Sequence, residues 1–414
     1  MDHAKVNMFG LATFIRRVTP CACSPTRAQV RTLTHGGPVQ ERTSMSKSYL
    51  GAAGVAAVAL LLAACGSSSG GSSSSSATSS GSGATTGKVG VILPDATTSP
   101  RWESSDRPSL QKAFDAAGYT YDIQNATKDV TKFSSICDAM IAEKVNVLMI
   151  VNLDSASGAA CESKAKAAGI PSIDYDRLTL NGDATYYVSF DNVQVGKLMG
   201  QGLVDCLTTA GKTKANVAEV DGDPTDNNAK LFAQGYNGVL QPKVAAGDYK
   251  IVADQTGKWD ATVAQTVFEQ MYAQNKGAID GVLVANDTMA GGVNVVLAKN
   301  GLAGKVPITG QDASDEGLQR VLAGTQCGTV FKDTNLEANL AAKLAIGMIK
   351  GDGTDKTTAD QTINNQKVTI GAAYAVPVWI TKANIKVPFD AGYTTAAKVC
   401  TGTYASLCTA AGIS

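Results

Sequence analysis

The sequence predicts an α/β protein with two lobes, each a parallel sheet flanked by helices. Three observations predict this fold class. From Lys88 onward, short β-rich apolar runs alternate with stretches of helical period. The runs form two successive series, and almost every run ends at a polar side chain. A sheet covered by helices on both faces explains why the runs are continuously apolar, and two series predict two such sheets.

The first series of predicted strands covers 89–93, 145–151, 170–175 and 186–190, and the second covers 216–220, 250–254, 281–285, 306–310 and 328–331. Helical stretches lie between them. Two of these stretches end at Gly118 and Gly169, which we interpret as C-cap glycines. Alternation of strands with helices favours parallel pairing, because parallel strands need a crossover connection.

The polar residues that follow the strands predict a ligand-binding cleft. Asp176 and Arg177 follow the third run, and Asn286 follows GVLVA. Ligands of open α/β sheets bind at the carboxyl ends of the strands, so two sheets with polar ends predict two lobes facing across a cleft. The alternative is that Asp and Asn only cap the next helices. Capping alone does not explain Trp102 or Lys332 in the same loops.

The N-terminal region predicts secretion and lipid attachment. Residues 45–64 have a basic start and then fifteen residues without a polar side chain, which is typical of a signal peptide and too short to span a bilayer. The following Cys65 completes a sequence similar to the bacterial lipoprotein box, which would make it the lipid-modified first residue of the mature protein. The alternative is an ordinary signal peptide with a chance cysteine. Residues 1–44 precede a start at Met45 and are interpreted as a start-site artefact.

A tether follows the predicted anchor. Residues 66–87 are rich in Ser and Gly, a composition that gives a flexible coil. We therefore expect an extracytoplasmic protein, held to the outer face of the cell membrane through its lipid anchor only.

Charge and histidine content exclude several classes of function. Residues 1–64 hold seven Lys and Arg against two Asp and Glu, so the remainder of the balanced chain is mildly acidic and unsuited to nucleic acid. Both histidines, His3 and His35, lie in the same N-terminal part, which excludes histidine triads and histidine metal sites from the mature chain. No phosphate-binding or dinucleotide motif follows a strand. We expect no cofactor and no metal.

Six cysteines remain in the predicted mature domain, and an even number outside the cytoplasm favours disulfides. Cys400 with Cys408 is the first expected pair. Cys137 with Cys161 would join two successive helices. Cys206 with Cys327 follows only by elimination.

The strand-end loops offer the groups that bind a sugar. A pyranose needs carboxylates, amides and cations for its hydroxyls, and flat rings for its apolar face. The candidate residues are Arg101, Trp102, Asp176, Arg177, Asp226, Asn228, Trp259, Asn286, Asp312 and Lys332. Their three acids and three bases balance, which suits an uncharged ligand.

These residues lie in motifs that resemble a known family. SPRWESSDRP, IDYDRL, SFDNVQVGKL, DGDPTDNNAKLF, VANDTMAGG, ITGQDA and TVFKDT occur in this order. Together they are similar to the periplasmic sugar-binding proteins of ABC importers, the family of D-xylose-binding proteins and relatives that bind glucose and galactose. The resemblance implies that the ten candidate residues contact a monosaccharide. It also implies the type I periplasmic binding fold, with two Rossmann-like lobes and a three-strand hinge crossing near 191, 332 and 362.

The implied domain division is an N-terminal lobe of 88–191 and 333–362, a C-terminal lobe of 192–332 and 363–389, and a tail of 390–414 without a counterpart in the family. The implied partners are a xylose-like monosaccharide, or glucose or galactose, and an ABC permease with its ATPase. We expect a monomer that is not an enzyme.

Three alternative functions compete with sugar import. A secreted glycosidase would use two carboxylates, for which Asp226 and Asp312 are nearest, but adjacent Arg177 and Lys332 would hold these acids ionised. A sugar-responsive repressor would need a DNA-binding motif before residue 88, where the sequence has a signal and a tether instead. A sugar sensor for chemotaxis or signalling stays open.

Overall fold

The computed structural model describes residues 87–96 and 98–414. The predicted signal peptide, Cys65 and residues 66–86 of the tether lie outside this part of the chain. Within it, the strands are β1 Lys88–Leu93, β2 Thr120–Asn125, β3 Val147–Ile150, β4 Ser172–Tyr175, β5 Tyr186–Phe190, β6 Ala215–Asp221, β7 Tyr249–Thr256, β8 Gly281–Val284, β9 Thr329–Phe331, β10 Gln361–Asn364, β11 Thr369–Ala375 and β12 Val378–Ile380.

The longer helices are α1 Arg107–Ala117, α2 Val130–Ala142, α3 Ser155–Ala167, α4 Asn192–Thr209, α5 Asn227–Ala245, α6 Ala261–Gln274, α7 Asp287–Lys299, α8 Asp315–Ala323 and α9 Thr334–Lys350. The short helices are α10 Thr354–Thr358, α11 Val387–Asp390, α12 Ala396–Val399 and α13 Ala405–Ala410, with a π-helical turn at Trp102–Asp106 and 3-10 turns at Lys382–Asn384 and Gly402–Tyr404. In these described residues, no helix combines the length and hydrophobicity needed to cross a bilayer.

The first lobe is built on a seven-stranded sheet of order β10-β11-β5-β4-β3-β1-β2. All its pairs are parallel except the hairpin of β10 and β11. Helices α1 and α9 cover one face through residues such as Phe114 and Leu344, and α2 and α3 cover the other through Phe133 and Ala165. Burial on both faces explains why β1 and β3 are continuously apolar.

The second lobe is built on β7-β6-β8, which pair in parallel. Helices α4, α5, α6 and α7 pack around them in one core. Beyond β8, the segment around Ile308 bridges to Val282, and Gln311 bridges to Val330 in β9. The predicted strand 306–310 is therefore reduced to isolated bridges. Strands β9 and β12 complete the lobe as an antiparallel pair.

The chain passes between the lobes three times, after β5, after β9 and between β11 and β12. The crossing expected near 362 is wrong, as is the assignment of residues 363–375 to the second lobe. Strand β11 pairs with β5 from Gly371 to Ala375, so this part of the chain extends the first sheet. The third crossing lies at Val376 and Pro377 instead.

The expected turns and disulfides are present. Gly118 has φ of 73° and Gly169 has φ of 74°, the left-handed conformation that ends a helix. All three expected disulfides are formed, joining Cys137 to Cys161, Cys206 to Cys327 and Cys400 to Cys408.

Candidate functional site

A cavity lies between the lobes at the carboxyl ends of both sheets, and all ten candidate residues line it. The full lining is Ser99, Arg101, Trp102, Asp176, Arg177, Asp226, Asn228, Phe232, Trp259, Asn286, Gln311, Asp312 and Lys332. We call the candidate residues of the first lobe the first wall (Arg101, Trp102, Asp176 and Arg177). Those of the second lobe are the second wall (Asp226, Asn228, Trp259, Asn286 and Asp312). Lys332 follows β9 at a crossing.

Arg101 is the centre of the first wall. It is buried, and its guanidinium contacts four carboxylates. Asp106 accepts two hydrogen bonds, at 2.8 Å from Nε and 3.0 Å from Nη2. Nη2 also lies 2.9 Å from Glu337 Oε2 and 2.9 Å from Asp176 Oδ2, and Nη1 lies 3.5 Å from Asp312 Oδ1. Burial opposes the charge, but these acids raise the pKa of Arg101 well above its ordinary value.

Asp176 is fixed by both its backbone and its carboxylate. It has φ of 62°, and its carbonyl oxygen accepts hydrogen bonds from Tyr187 and Ser189. Its Oδ2 lies 3.2 Å from Lys332 Nζ. Burial favours the neutral acid, but the charges of Arg101, Lys332 and Arg177 outweigh it and lower the pKa of Asp176. The carboxylate is therefore ionised in the folded protein.

Two acids of this network, Asp106 and Glu337, were not predicted from the sequence. Tyr175 donates a 2.9 Å hydrogen bond to Asp106, and both carboxylates are fully buried. Burial is the main cause that raises the pKa of each acid, and the charge of Asp176 adds to it. The pKa of Glu337 is raised well above the ordinary value, which favours its protonated form and limits the negative charge beneath the cleft. Glu337 lies on the buried face of α9, beside Ala338 and Ala341. This position of a glutamate is the sequence signal that could have identified it.

The second wall is positioned by helix N-termini. Asp226 is the N-cap of α5 and accepts from the Asn228 N–H at 2.9 Å, and Asn286 is the N-cap of α7 and accepts from the Met289 N–H at 2.9 Å. The two interpretations of these residues, helix cap and cleft residue, therefore both hold. In each residue, one side-chain oxygen accepts the hydrogen bond that caps the helix. The same side chain also lines the cavity.

The two tryptophans bring flat rings to the cavity. The guanidinium carbon of Arg101 lies 4.5 Å and that of Arg177 lies 5.3 Å from the Trp102 ring centre. Trp259 packs edge-on against Phe232, with ring centres 6.2 Å apart. A Cβ at Gly222 would overlap the Trp259 indole. The Nε1 atoms of both tryptophans have no hydrogen-bond acceptor within the described residues. Both N–H groups are therefore free to donate to a ligand.

Direct contacts join the two walls. Arg177 Nε lies 2.9 Å from Asp226 Oδ2, and Asn228 Nδ2 donates to the Asp176 carbonyl at 2.9 Å and to its Oδ1 at 3.1 Å. The cavity between them is about 30 Å³, far below the roughly 300 Å³ or more of ordinary ligand pockets. The lobes are thus closed, and a ligand of several atoms would have to separate the walls.

Asp226 departs from the expectation for its charge. Burial raises its pKa, and the opposing effect of Arg177 does not restore the ordinary value. Arg177 therefore acts in the expected direction, since its charge lowers the pKa of Asp226, but burial outweighs it.

The absence of a metal stays a prediction. Glu219, Asp221 and Asp254 on the second sheet bring carboxylate oxygens within 4.8 Å of one another. None of them lines the cleft cavity. Burial raises the pKa of Glu219 to about 8 and that of Asp221 to about 6, and the neighbouring acids add to both shifts.

Comparisons with known proteins agree on one family. A model described as a periplasmic binding protein domain matches residues 89–353. The D-xylose-binding periplasmic protein of Escherichia coli (strain K12) is 35% identical over 300 residues, which are 72% of this chain and 88% of that protein. The multiple sugar-binding periplasmic protein SbpA of Azospirillum brasilense is 32% identical, over 75% of this chain and 90% of its own length.

A solved structure shows the same likeness. The carbohydrate transporter solute binding protein of Chloroflexus aurantiacus, in complex with D-glucose, superposes with a TM-score of 0.70 at 30% sequence identity. The superposition covers 76% of this chain and 98% of that one.

Proposed function

Because the chain belongs to the periplasmic binding protein family, we propose that it binds one monosaccharide between its lobes and delivers it to an ABC permease. A xylose-like pyranose is the first candidate, and glucose or galactose is the alternative. The relatives named for D-xylose and for multiple sugars, and the D-glucose complex of the similar structure, support this substrate class.

The observation that carries the proposal is the convergence of ten side chains from both lobes on one cavity. Hydroxyl groups both donate and accept, and this lining supplies carboxylates, amides and cations to pair with them. The indoles of Trp102 and Trp259 supply rings for the C–H face and free N–H donors. We assign sugar contacts to all ten residues: Arg101, Trp102, Asp176, Arg177, Asp226, Asn228, Trp259, Asn286, Asp312 and Lys332.

The sugar would replace the direct contacts between the walls. In the open state, Asp226 would part from Arg177, and Asn228 from Asp176. On closure each group would meet a sugar hydroxyl instead of its partner. The sugar favours closure because only in the closed state do both walls contact it.

The lobe boundaries follow the sheets. We assign residues 88–191 and 333–375 to the first lobe, 192–332 and 378–389 to the second, and 390–414 to a tail. The three crossings form the hinge.

We place the protein outside the cytoplasm, anchored through a lipid on Cys65 and acting as a monomer with a permease and its ATPase. Labelled fatty acid should enter the wild-type protein and not a Cys65→Ser variant. Labelling of both proteins, or of neither, would contradict the anchor.

We propose no catalytic activity. A glycosidase needs one carboxyl protonated beside an ionised partner, and Asp312 lies 3.5 Å from Arg101 and 3.7 Å from Lys332, two cations that favour ligand holding over proton donation. Steady release of nitrophenol from nitrophenyl glycosides by the purified protein would overturn this part.

Calorimetry tests the proposed function. The purified protein is titrated with xylose, glucose, galactose and arabinose, with mannitol as an open-chain control. Saturable heat from at least one pyranose, and none from mannitol, is expected. No heat from any of the four sugars would contradict the proposal.

A further inference from the structure

The C-terminal tail packs onto the second lobe. Residues 390–414 follow the part matched by the family model. Val399, Cys408 and Ile413 are buried in one cluster with Leu318 and Val321 of α8. The disulfide between Cys400 and Cys408 closes the tail on itself. The tail is thus an ordered part of this lobe.

One tail residue contacts the backbone of a cleft residue. The Tyr393 hydroxyl donates a 2.8 Å hydrogen bond to the carbonyl oxygen of Asp312. Its ring packs edge-on against Phe331, with ring centres 5.0 Å apart. The next residue, Thr394, is buried and donates to the Asp315 carboxylate at 2.5 Å. The ring and the neighbouring bond fix the direction of the Tyr393 hydroxyl.

The Asp312 backbone needs such support. Its φ of 91° is a conformation that non-glycine residues adopt only when the surroundings hold them. Its N–H donates to the Val330 carbonyl at 2.8 Å, so the Tyr393 bond secures the other end of the same residue. With the backbone held at both ends, the Asp312 carboxylate lies 3.5 Å from Arg101 and 3.7 Å from Lys332.

The same hydroxyl lies at the boundary of the lobes. Ser105, in the π-helical turn of the first lobe, has its Oγ 3.5 Å from the Tyr393 oxygen. Tyr393 therefore contacts both lobes in the closed state.

We propose that Tyr393 is a positioning residue of the ligand site and that the tail supports the cleft through it. This inference rests on the proposed sugar-binding function. Tyr393 acts through the Asp312 backbone, which aims the Asp312 carboxylate at the ligand.

The test is a Tyr393→Phe variant of the full chain, which keeps the ring packing on Phe331. Sugar affinity, measured by calorimetry with the best-binding pyranose, is expected to fall about fivefold, the loss of one neutral hydrogen bond. Tyr404→Phe, in the same tail, is the matched control and should leave affinity unchanged. Thermal unfolding of all variants checks that each is folded.

A double-mutant cycle with Asp312→Asn separates positioning from a general structural role. Adding Tyr393→Phe to Asp312→Asn should change affinity less than twofold. An undiminished fivefold loss in that background would overturn the inference, as would unchanged affinity in Tyr393→Phe while the wild type binds sugar. Absence of binding by the wild type would overturn the proposed function, and this inference with it.

Discussion

The two walls of the cleft are held in different ways. On the first wall, Arg101 and Asp176 are fixed by ion pairs whose partners come from distant segments, with Lys332 lying 156 residues after Asp176. On the second wall, Asp226 and Asn286 are fixed by the N–H groups of the helices that begin immediately after them. The first wall depends on charge balance among buried groups, and the second depends on local backbone geometry.

This difference has an energetic consequence. Removing one member of a buried charge network leaves its partners uncompensated, which costs folding energy as well as binding energy. Removing a cleft side chain of the second wall leaves fewer buried charges unpaired. We therefore expect variants of the first wall to lose stability and affinity together, and variants of the second wall to lose mainly affinity.

The largest expected effect is that of Asp176→Asn. Asparagine tolerates the φ of 62° but leaves Arg101 and Lys332 without this carboxylate. We expect the free energy of unfolding to fall by about 3 kcal/mol and sugar binding to weaken more than 100-fold. Denaturant titration and calorimetry measure the two losses. Asp191→Asn, at an exposed N-cap, is the control. If Asp176→Asn had an effect as small as that of Asp191→Asn, the contrast between the walls would be contradicted.

On the second wall, Trp259→Ala and Asp312→Ala are expected to weaken sugar binding by about 2 kcal/mol each. Trp259 supplies a ring and a free N–H, and Asp312 supplies a carboxylate at the edge of the charge network. Calorimetry gives the affinities, and denaturant titration gives the stabilities. If either variant lost as much free energy of unfolding as Asp176→Asn, the two walls would not differ.

A buried carboxylate beside other acids offers a further contrast. Glu219 is buried beside Asp221 and Asp254, and its pKa is raised to about 8. Its ordinary pKa is near 4.3, so the folded state binds the extra proton and stability falls as pH rises from about 4.5 to 8. Glu219→Gln should remove this loss and stabilise the protein at pH 8 by about 1.4 kcal/mol or more, the equivalent of one pKa unit.

Unfolding of wild type and Glu219→Gln at pH 5 and pH 8 checks this slope. The two proteins should differ little at pH 5. Glu316→Gln, at an exposed position, serves as the control. Parallel pH dependences of wild type and Glu219→Gln would contradict the assigned pKa.

The smallest expected effect is that of Glu337→Gln. Burial and the neighbouring Asp176 raise the pKa of Glu337 well above its ordinary value, so glutamine resembles the protonated form that these surroundings favour. Sugar affinity at pH 7 should stay within about twofold of wild type, as measured by calorimetry. A loss greater than tenfold would show that Glu337 is ionised and that the first wall needs its charge.

The contrast between the walls also explains what the sequence could predict. Asp226 and Asn286 follow a strand and precede a helix, so local order along the chain indicated both. Asp106 and Glu337 lie inside or beside helices and meet Arg101 only in three dimensions. No local pattern distinguishes them, although a glutamate on the apolar face of α9 was a weak signal.

The same limit applies to the fold. Strands β1, β3, β4 and β5 are buried and were predicted, whereas β2 is a half-buried edge strand with Asp122 and Gln124 and was not. Strand β10 was missed because it is an exposed edge with polar residues, and β11, which is rich in Gly and Ala, was missed with it, so the hinge was expected too early. Edge strands take their structure from a neighbour rather than from their own hydrophobicity.

A crystal structure of the protein grown with D-xylose tests the central claim most directly. We predict one intact pyranose between the walls, with hydrogen bonds from Asp176 and Arg177 on one side and from Asn228 and Asp312 on the other. A cleft in which Arg177 still pairs with Asp226 and no sugar separates the lobes would contradict it.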